Sequence, residues 1–407
     1  MTAGQIHAFR RGTWQSSLDE AQLPGDPGVR LALVPEVVAA ADRRWWDAAF
    51  PCLPPAPADR RALLLRALDL FEQGDLTVGG LGSQSGDDFR SALWRTAGLP
   101  APLVDRWSGM LRSGLMARHQ LSLDGELTLI SLPGNTFTCL AAVLEQVQSS
   151  DAVWVRPSRR EPLSAARLVA ALLAAGWPAE RIGFYPSEQR ALGGLIRLTD
   201  RHVIFGGVGL AASVRSSAAL TLHGPGRGCA LVPAGVAARE AADWLLPLIA
   251  ADSGRFCSNV RTVVCSGPAE PLATYLAATL DAIDPQLPDN AWPLVAFRQP
   301  GSAQRAARSV TDRMRPGDRI LTRRPPVLET LGGDTYVLPQ LVLMEDSAAL
   351  FDGEDQQHES QSLIGHEVPF PYATVVSATG RDAAAIAAEA LFVYRPPSDG
   401  EAQRGTL

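Results

Sequence analysis

Ala152-Val153-Trp154-Val155-Arg156-Pro157-Ser158-Arg159-Arg160-Glu161-Pro162-Leu163-Ser164-Ala165-Ala166-Arg167-Leu168-Val169-Ala170-Ala171-Leu172-Leu173-Ala174-Ala175-Gly176-Trp177-Pro178 reads as a strand, a turn and a helix in succession. Four apolar residues end at an arginine, Pro157 interrupts the run, and Pro162 stands where a helix tolerates proline, in its first turn. Leu163, Leu168, Val169, Leu172 and Leu173 line one side of the helix, and Gly176 followed by Pro178 stops it. The next apolar run, Ile182–Tyr185, completes a βαβ crossover, the unit that joins parallel strands.

The same alternation continues on both sides. Upstream lie an apolar run Leu127–Leu132 and a helical pattern from about Thr138; downstream lie a helix near Glu188 and a strand His202–Phe205. Strand and helix in turn at this pitch predict an α/β fold, a parallel Rossmann-like sheet wound with helices. A second block begins near Leu222, with strands Gly228–Pro233 and Thr262–Cys265 and helices from about Val236 and Pro271. It implies a further sheet, so two domains are expected, 1–222 and 223–407. Asp281–Gly301 reads as a long surface connection, Arg313–Pro326 as basic and proline-broken, and the segment before Pro102 as helical in places, such as Asp59–Gln73.

Composition removes several function classes. With 407 residues, 46% of them hydrophobic, two cores can be filled without staples. Cys52, Cys139, Cys229, Cys257 and Cys265 are odd in number and follow no C-x-x-C or Cys/His ligand spacing, which argues against a disulfide framework or a metal site and suits a reducing cytoplasm. No apolar stretch is long enough to span a bilayer, and Met1–Leu23 lacks the plan of a signal peptide. Net charge is −6 with arginines spread along the chain, so no nucleic-acid partner is expected. There is no lysine: all 37 basic residues are arginine, which excludes chemistry that requires an ε-amine, such as Walker-A phosphate binding or Schiff-base formation.

Cys257 stands apart from the other thiols. It lies in Asp252-Ser253-Gly254-Arg255-Phe256-Cys257-Ser258-Asn259, a small polar turn running into a β-branched strand, whereas Cys139, Cys229 and Cys265 sit in apolar runs. Gly254 allows close backbone approach, and Arg255 is expected to favour the thiolate. The context suits a nucleophile.

Four short motifs follow in order: Leu132-Pro133-Gly134-Asn135, Arg156-Pro157-Ser158-Arg159-Arg160, Phe205-Gly206-Gly207 and Gly254-Arg255-Phe256-Cys257. Together they resemble the aldehyde dehydrogenase superfamily, and within it the acyl-CoA reductase branch that includes the long-chain fatty acyl reductases of bacterial luminescence. The resemblance spans roughly Leu127 to Val376. It implies that Cys257 is the nucleophile and that Asn135 and the Cys257 N–H hold the oxyanion; a Gly-Asn turn with no chemistry is the other reading of Asn135. It also implies that Arg156, Pro157 and Ser158 meet the adenosine ribose, arginine replacing the family's lysine.

Further expectations come from departures. NAD-preferring relatives commonly carry a glutamate just after this signature, whereas this chain has Arg159, so NADPH is the preferred cofactor and NADH the second; a solvated basic turn is the alternative. Gly194, Gly206 and Gly207 are candidates for close pyrophosphate approach, and Glu367, in His366-Glu367-Val368-Pro369-Phe370, resembles the family's nicotinamide-ribose glutamate. In Thr221-Leu222-His223-Gly224, His223 stands where aldehyde dehydrogenases have a general-base glutamate. Without that base to activate water, the resemblance implies reduction of an acyl-CoA or acyl-carrier-protein thioester to an aldehyde through an acyl-cysteine. His223 is then a proton carrier for that reaction or a histidine that shapes its turn. Aldehyde oxidation and a cofactor-free cysteine acyltransferase are the alternatives. The chain finishes sooner after Glu367 than its relatives do, which leaves a homo-oligomer open.

Overall fold

The computed structural model describes residues 4–49, 59–117, 126–206, 219–286, 291–346 and 362–397. The chain forms two compact units, Met1–Gly224 and Pro225–Leu407. The division falls after Gly224 rather than after Leu222, because the strand Leu220–His223 pairs in parallel with Arg201–Phe205 and so belongs to the first unit.

The first unit is built on a seven-stranded sheet in the order Leu220–His223, Arg201–Phe205, Leu127–Ser131, Ala152–Arg156, Ile182–Phe184, Ala8–Arg10 and Thr13–Gln15. The first five are parallel, and the last two join antiparallel. All five residues of Leu127–Ser131 and of Ala152–Arg156 are buried, as expected of central parallel strands covered on both faces, and this is why they read as unbroken apolar runs. Their core includes Leu127, Leu129, Trp154, Tyr185 and Ile204. Ala8–Arg10 and Thr13–Gln15 have only three residues each, too few for an alternation to declare itself, and the sequence reading missed them.

The helix Leu163–Ala174 differs from its one-sided reading: Leu163 to Leu172 are all buried, Arg167 among them. Arg167 donates to the carbonyls of Phe71 (2.7 Å), Gln84 (2.9 Å) and Gly74 (2.7 Å). Its cation therefore serves carbonyls at the C-terminal end of the helix Arg60–Gln73, which the helix itself leaves unpaired.

The second unit has a six-stranded sheet in the order Arg319–Ile320, Gln340–Leu343, Tyr372–Ser377, Val260–Cys265, Gly228–Val232 and Val393–Tyr394. All pairs are parallel except Arg319–Ile320 with Gln340–Leu343. Val264, Val342, Phe370, Tyr372 and Val376 form its core. Cys229 and Cys265 are buried in this sheet, and burial pushes both thiols up to about 11, so they are packing residues. Among the described residues no helix is long and apolar enough to cross a membrane, and no group of side chains is arranged to hold a metal ion.

Candidate functional site

In the second unit the turn carrying Cys257 is held in an unusual backbone conformation. Asp252, Ser253 and Gly254 have φ of 56°, 57° and 62°, three successive left-handed residues, two of which carry side chains that disfavour it. The surroundings enforce it: the Ser253 hydroxyl accepts from Val295 N–H (3.0 Å), and Arg255 N–H donates to the Asp252 carbonyl (3.1 Å). Gly254 has no room for a side chain, since a Cβ there would lie 2.6 Å from the Phe370 carbonyl carbon. Asn259 fixes the far side, accepting from Phe256 N–H (2.8 Å) and donating to the carbonyls of Leu248 (3.0 Å) and Ala251 (3.2 Å).

Cys257 itself is exposed, and Cys229 and Cys265 are not. Its thiol is nevertheless raised above the ordinary cysteine value, first by desolvation and then by the charge of Glu367. The backbone N–H groups of Cys257 and Ser258 and the cation of Arg261 act in the opposite direction. Arg255, the neighbour expected to favour the thiolate, lies over the Phe297 ring at 6.0 Å, and Arg261 is an arginine whose charge acts on the sulfur. Arg261 carried a signal in the sequence, a charge inside the β-branched run Val260–Val264, which motif reading passed over.

Glu367 reaches this turn from a segment 141 residues away from Gly226, yet its carboxylate accepts from the N–H groups of Gly226 (2.7 Å) and Arg227 (3.2 Å). Arg227 itself has φ 48°, in the left-handed region. A side chain at Gly226 would collide with the Cys257 carbonyl, which is why glycine is needed where this segment passes the cysteine. The structure thus brings Cys257, Glu367, Gly226 and Arg261 together in one unit.

In the first unit, the motifs around Asn135 and Arg156 meet at the C-terminal ends of the strands Leu127–Ser131 and Ala152–Arg156. Leu132 N–H donates to the Arg156 carbonyl (2.9 Å), and a Cβ at Gly134 would strike the Ser158 side chain. Asn135 is half-buried on this turn. Arg156 is 7% exposed and donates to the hydroxyls of Ser187 (2.9 Å) and Ser131 (3.1 Å), the Ser187 carbonyl (3.3 Å) and the Gln189 side chain (3.2 Å). Desolvation and the neighbouring Arg159 bring it down to about 10. The Arg156 guanidinium braces three strand ends, while Arg159 beside it is exposed. Ser131, Ser187 and Gln189, none of them in a recognisable motif, complete that brace.

Pro157 is buried and Ser158 half-buried in the same turn, the Ser158 hydroxyl accepting from Arg160 N–H (3.2 Å). At Gly194 the Glu36 carboxylate occupies the space a side chain would take. Gly206 N–H donates to the His223 carbonyl (3.1 Å); Gly207, like Cys52, lies outside the described residues. His223 ends a strand rather than shaping a turn, and its ring stacks on Phe205 at 4.5 Å and 12°. Desolvation lowers its basicity below the ordinary histidine value, so the imidazole is neutral near pH 7 and able to accept a proton.

No family model and no curated protein matches this sequence. Solved structures do match the fold. HpcC from Thermus thermophilus superposes with a TM-score of 0.73 at 17% identity, covering 96% of this chain and 85% of that one. A salicylaldehyde dehydrogenase from Pseudomonas putida G7, complexed with salicylaldehyde, gives 0.70 at 14% identity, covering 98% and 91%. A mutant of aldehyde dehydrogenase C from Pseudomonas syringae, complexed with NAD+ and octanal, gives 0.71 at 17% identity, covering 95% and 82%. The chain has the α/β fold of the aldehyde dehydrogenases.

Proposed function

We propose that the chain is a nicotinamide-dependent oxidoreductase working between the aldehyde and acyl levels, and that it reduces an acyl thioester of CoA or a carrier protein to an aldehyde. The observation that carries this reading is the single exposed thiol among the described cysteines, on a strained turn beside a backbone-anchored carboxylate, in a chain with the fold of the aldehyde dehydrogenases. The chain's first unit fits a nucleotide cofactor by its chemistry. Parallel strands end at a cationic turn, Ser158-Arg159-Arg160, packed against Gly134, and an exposed guanidinium suits a phosphate. Ser158 and Arg159 would hold NADPH there, and the bound cofactor would supply hydride.

Cys257 rests as the thiol, so attack on a thioester carbonyl first requires loss of its proton, and on the resemblance of its motif His223 is the proton carrier. The sulfur bonds to the carbonyl carbon, the carrier C–S bond breaks and the carrier thiolate leaves with a proton. On the resemblance, the Cys257 N–H serves the oxyanion. On the resemblance of its motif, Asn135 supplies the second donor. Asn135→Ala is expected to lower kcat by roughly 10²-fold while leaving the KM within a few-fold, since the lost bond strengthens only in the transition state.

The test is intact-mass spectrometry of the protein incubated with acyl-CoA and acyl-carrier thioesters, with NADPH added second. An acyl adduct on Cys257 that disappears with release of aldehyde supports the proposal. A stable adduct indifferent to NADPH indicates acyl transfer, and turnover only with aldehyde and NADP+ indicates the oxidative direction; either result overturns it.

A further inference from the structure

We propose that Arg261 is a positioning residue, whose guanidinium ties the Cys257 turn to the Glu367 segment so that thiol and carboxylate are held in one fixed relation. The inference rests on the reading of Cys257 as the nucleophile. Arg261 is the second residue of the strand Val260–Cys265, and it is 2% exposed. One of its terminal nitrogens donates to the Gly254 carbonyl, three residues before Cys257, and to the Val368 carbonyl (3.0 Å), next to Glu367. The other donates to the Phe370 carbonyl (3.2 Å).

A buried cation is normally retained with an acidic partner, because desolvating it alone is costly. Among the described residues no carboxylate forms an ion pair with Arg261; backbone carbonyls of two separate segments solvate it instead. A planar fork can span two loops in a way that the single ammonium of lysine cannot. The two segments touch at Gly254, where any side chain would strike the Phe370 backbone, so the clamp acts on a contact that has no slack.

Among the described residues, the charged and titratable groups acting on Cys257 include Glu367, Arg261 and Tyr394, whose hydroxyl donates to the Ser258 carbonyl (2.9 Å). Around Arg261 stand Glu367, Tyr372 and His366, the last with Arg313 also near it. Glu367 raises the thiol and Arg261 opposes it, so both charges act on the sulfur through a geometry that Arg261 itself maintains.

The experiment measures the rate of Cys257 alkylation by iodoacetamide against pH in wild type, Arg261→Met, Arg261→Lys, Glu367→Gln and the Arg261→Met/Glu367→Gln double variant. Melting curves establish that each is folded. Arg261→Met is expected to raise the alkylation midpoint by roughly one pH unit, and Glu367→Gln to lower it. The deciding result is coupling: in the Arg261→Met background the downward shift from Glu367→Gln shrinks to less than about half, because the carboxylate segment is no longer held in place. Arg261→Lys keeps the charge but not the fork, so it reproduces the loss of coupling with a smaller rise in midpoint. Equal Glu367→Gln shifts in both backgrounds, an unmoved midpoint, or failure of both Arg261 variants to fold would each overturn the assignment. Alkylation requires no turnover, so an inactive protein that still shows the coupling separates failure of the proposed reaction from failure of this inference.

Discussion

Cys257→Ala is expected to leave less than about one-thousandth of the wild-type rate of acyl-thioester-dependent NADPH oxidation, with no acyl adduct in the intact mass. The size follows from the chemistry. Without a sulfur at 257 there is no covalent acyl intermediate, and Cys229 and Cys265 cannot replace it, being 1% and 4% exposed with thiols pushed up to about 11. Cys257→Ser is the sharper companion, since it keeps the shape of the turn while exchanging a thiol for a far weaker acid. Its activity should be nearly as low. Aldehyde formation by Cys257→Ala within ten-fold of wild type would remove the acyl-cysteine from the mechanism.

Asp42→Ala is expected to destabilise the first unit by about 3 kcal/mol, seen as a fall in Tm of roughly 6–12 °C. Asp42 is 1% exposed on the helix Glu36–Ala49 and accepts from Arg10 (2.5 and 2.9 Å), Arg11 (2.6 Å) and the Tyr185 hydroxyl (3.1 Å). Removing the carboxylate leaves Arg10, 16% exposed, with its strongest acceptor gone, and a buried hydroxyl without one. The cost lies below that of a fully buried pair because Arg11 is 36% exposed and recovers solvation. The damage should concentrate in the strands Ala8–Arg10 and Thr13–Gln15, which otherwise rely on short pairing and on the edge contacts of Trp14 with Phe9 (5.0 Å) and Phe184 (6.2 Å). Faster amide hydrogen exchange over 8–15, with the strand Leu127–Ser131 unchanged, is the matching local readout. An unchanged Tm would show that water replaces the carboxylate at no cost.

The two sites were legible to different degrees for physical reasons. Central parallel strands must be apolar on both faces, so Leu127–Ser131, Ala152–Arg156 and Val260–Cys265 announce themselves in the chain. The exposed Cys257 was legible because a polar, glycine-bearing turn before a β-branched strand is a local pattern. Arg156 was legible as a residue at a strand end but not in its bonding, because Ser187 and Gln189, which take up its donors, lie 31 and 33 residues further on. Only folding showed that the Glu36 carboxylate is what comes close to Gly194.

By itself the sequence determined the α/β alternation and the presented thiol, both of which depend on neighbours along the chain. The tertiary structure alone decided the charge environment of that thiol. Arg261 meets Val368 across 107 residues, and Glu367 meets Gly226 across 141. Electrostatic influence falls with distance in space and is indifferent to distance along the chain, so only the folded sheet could show that Arg261 is a cation acting on Cys257.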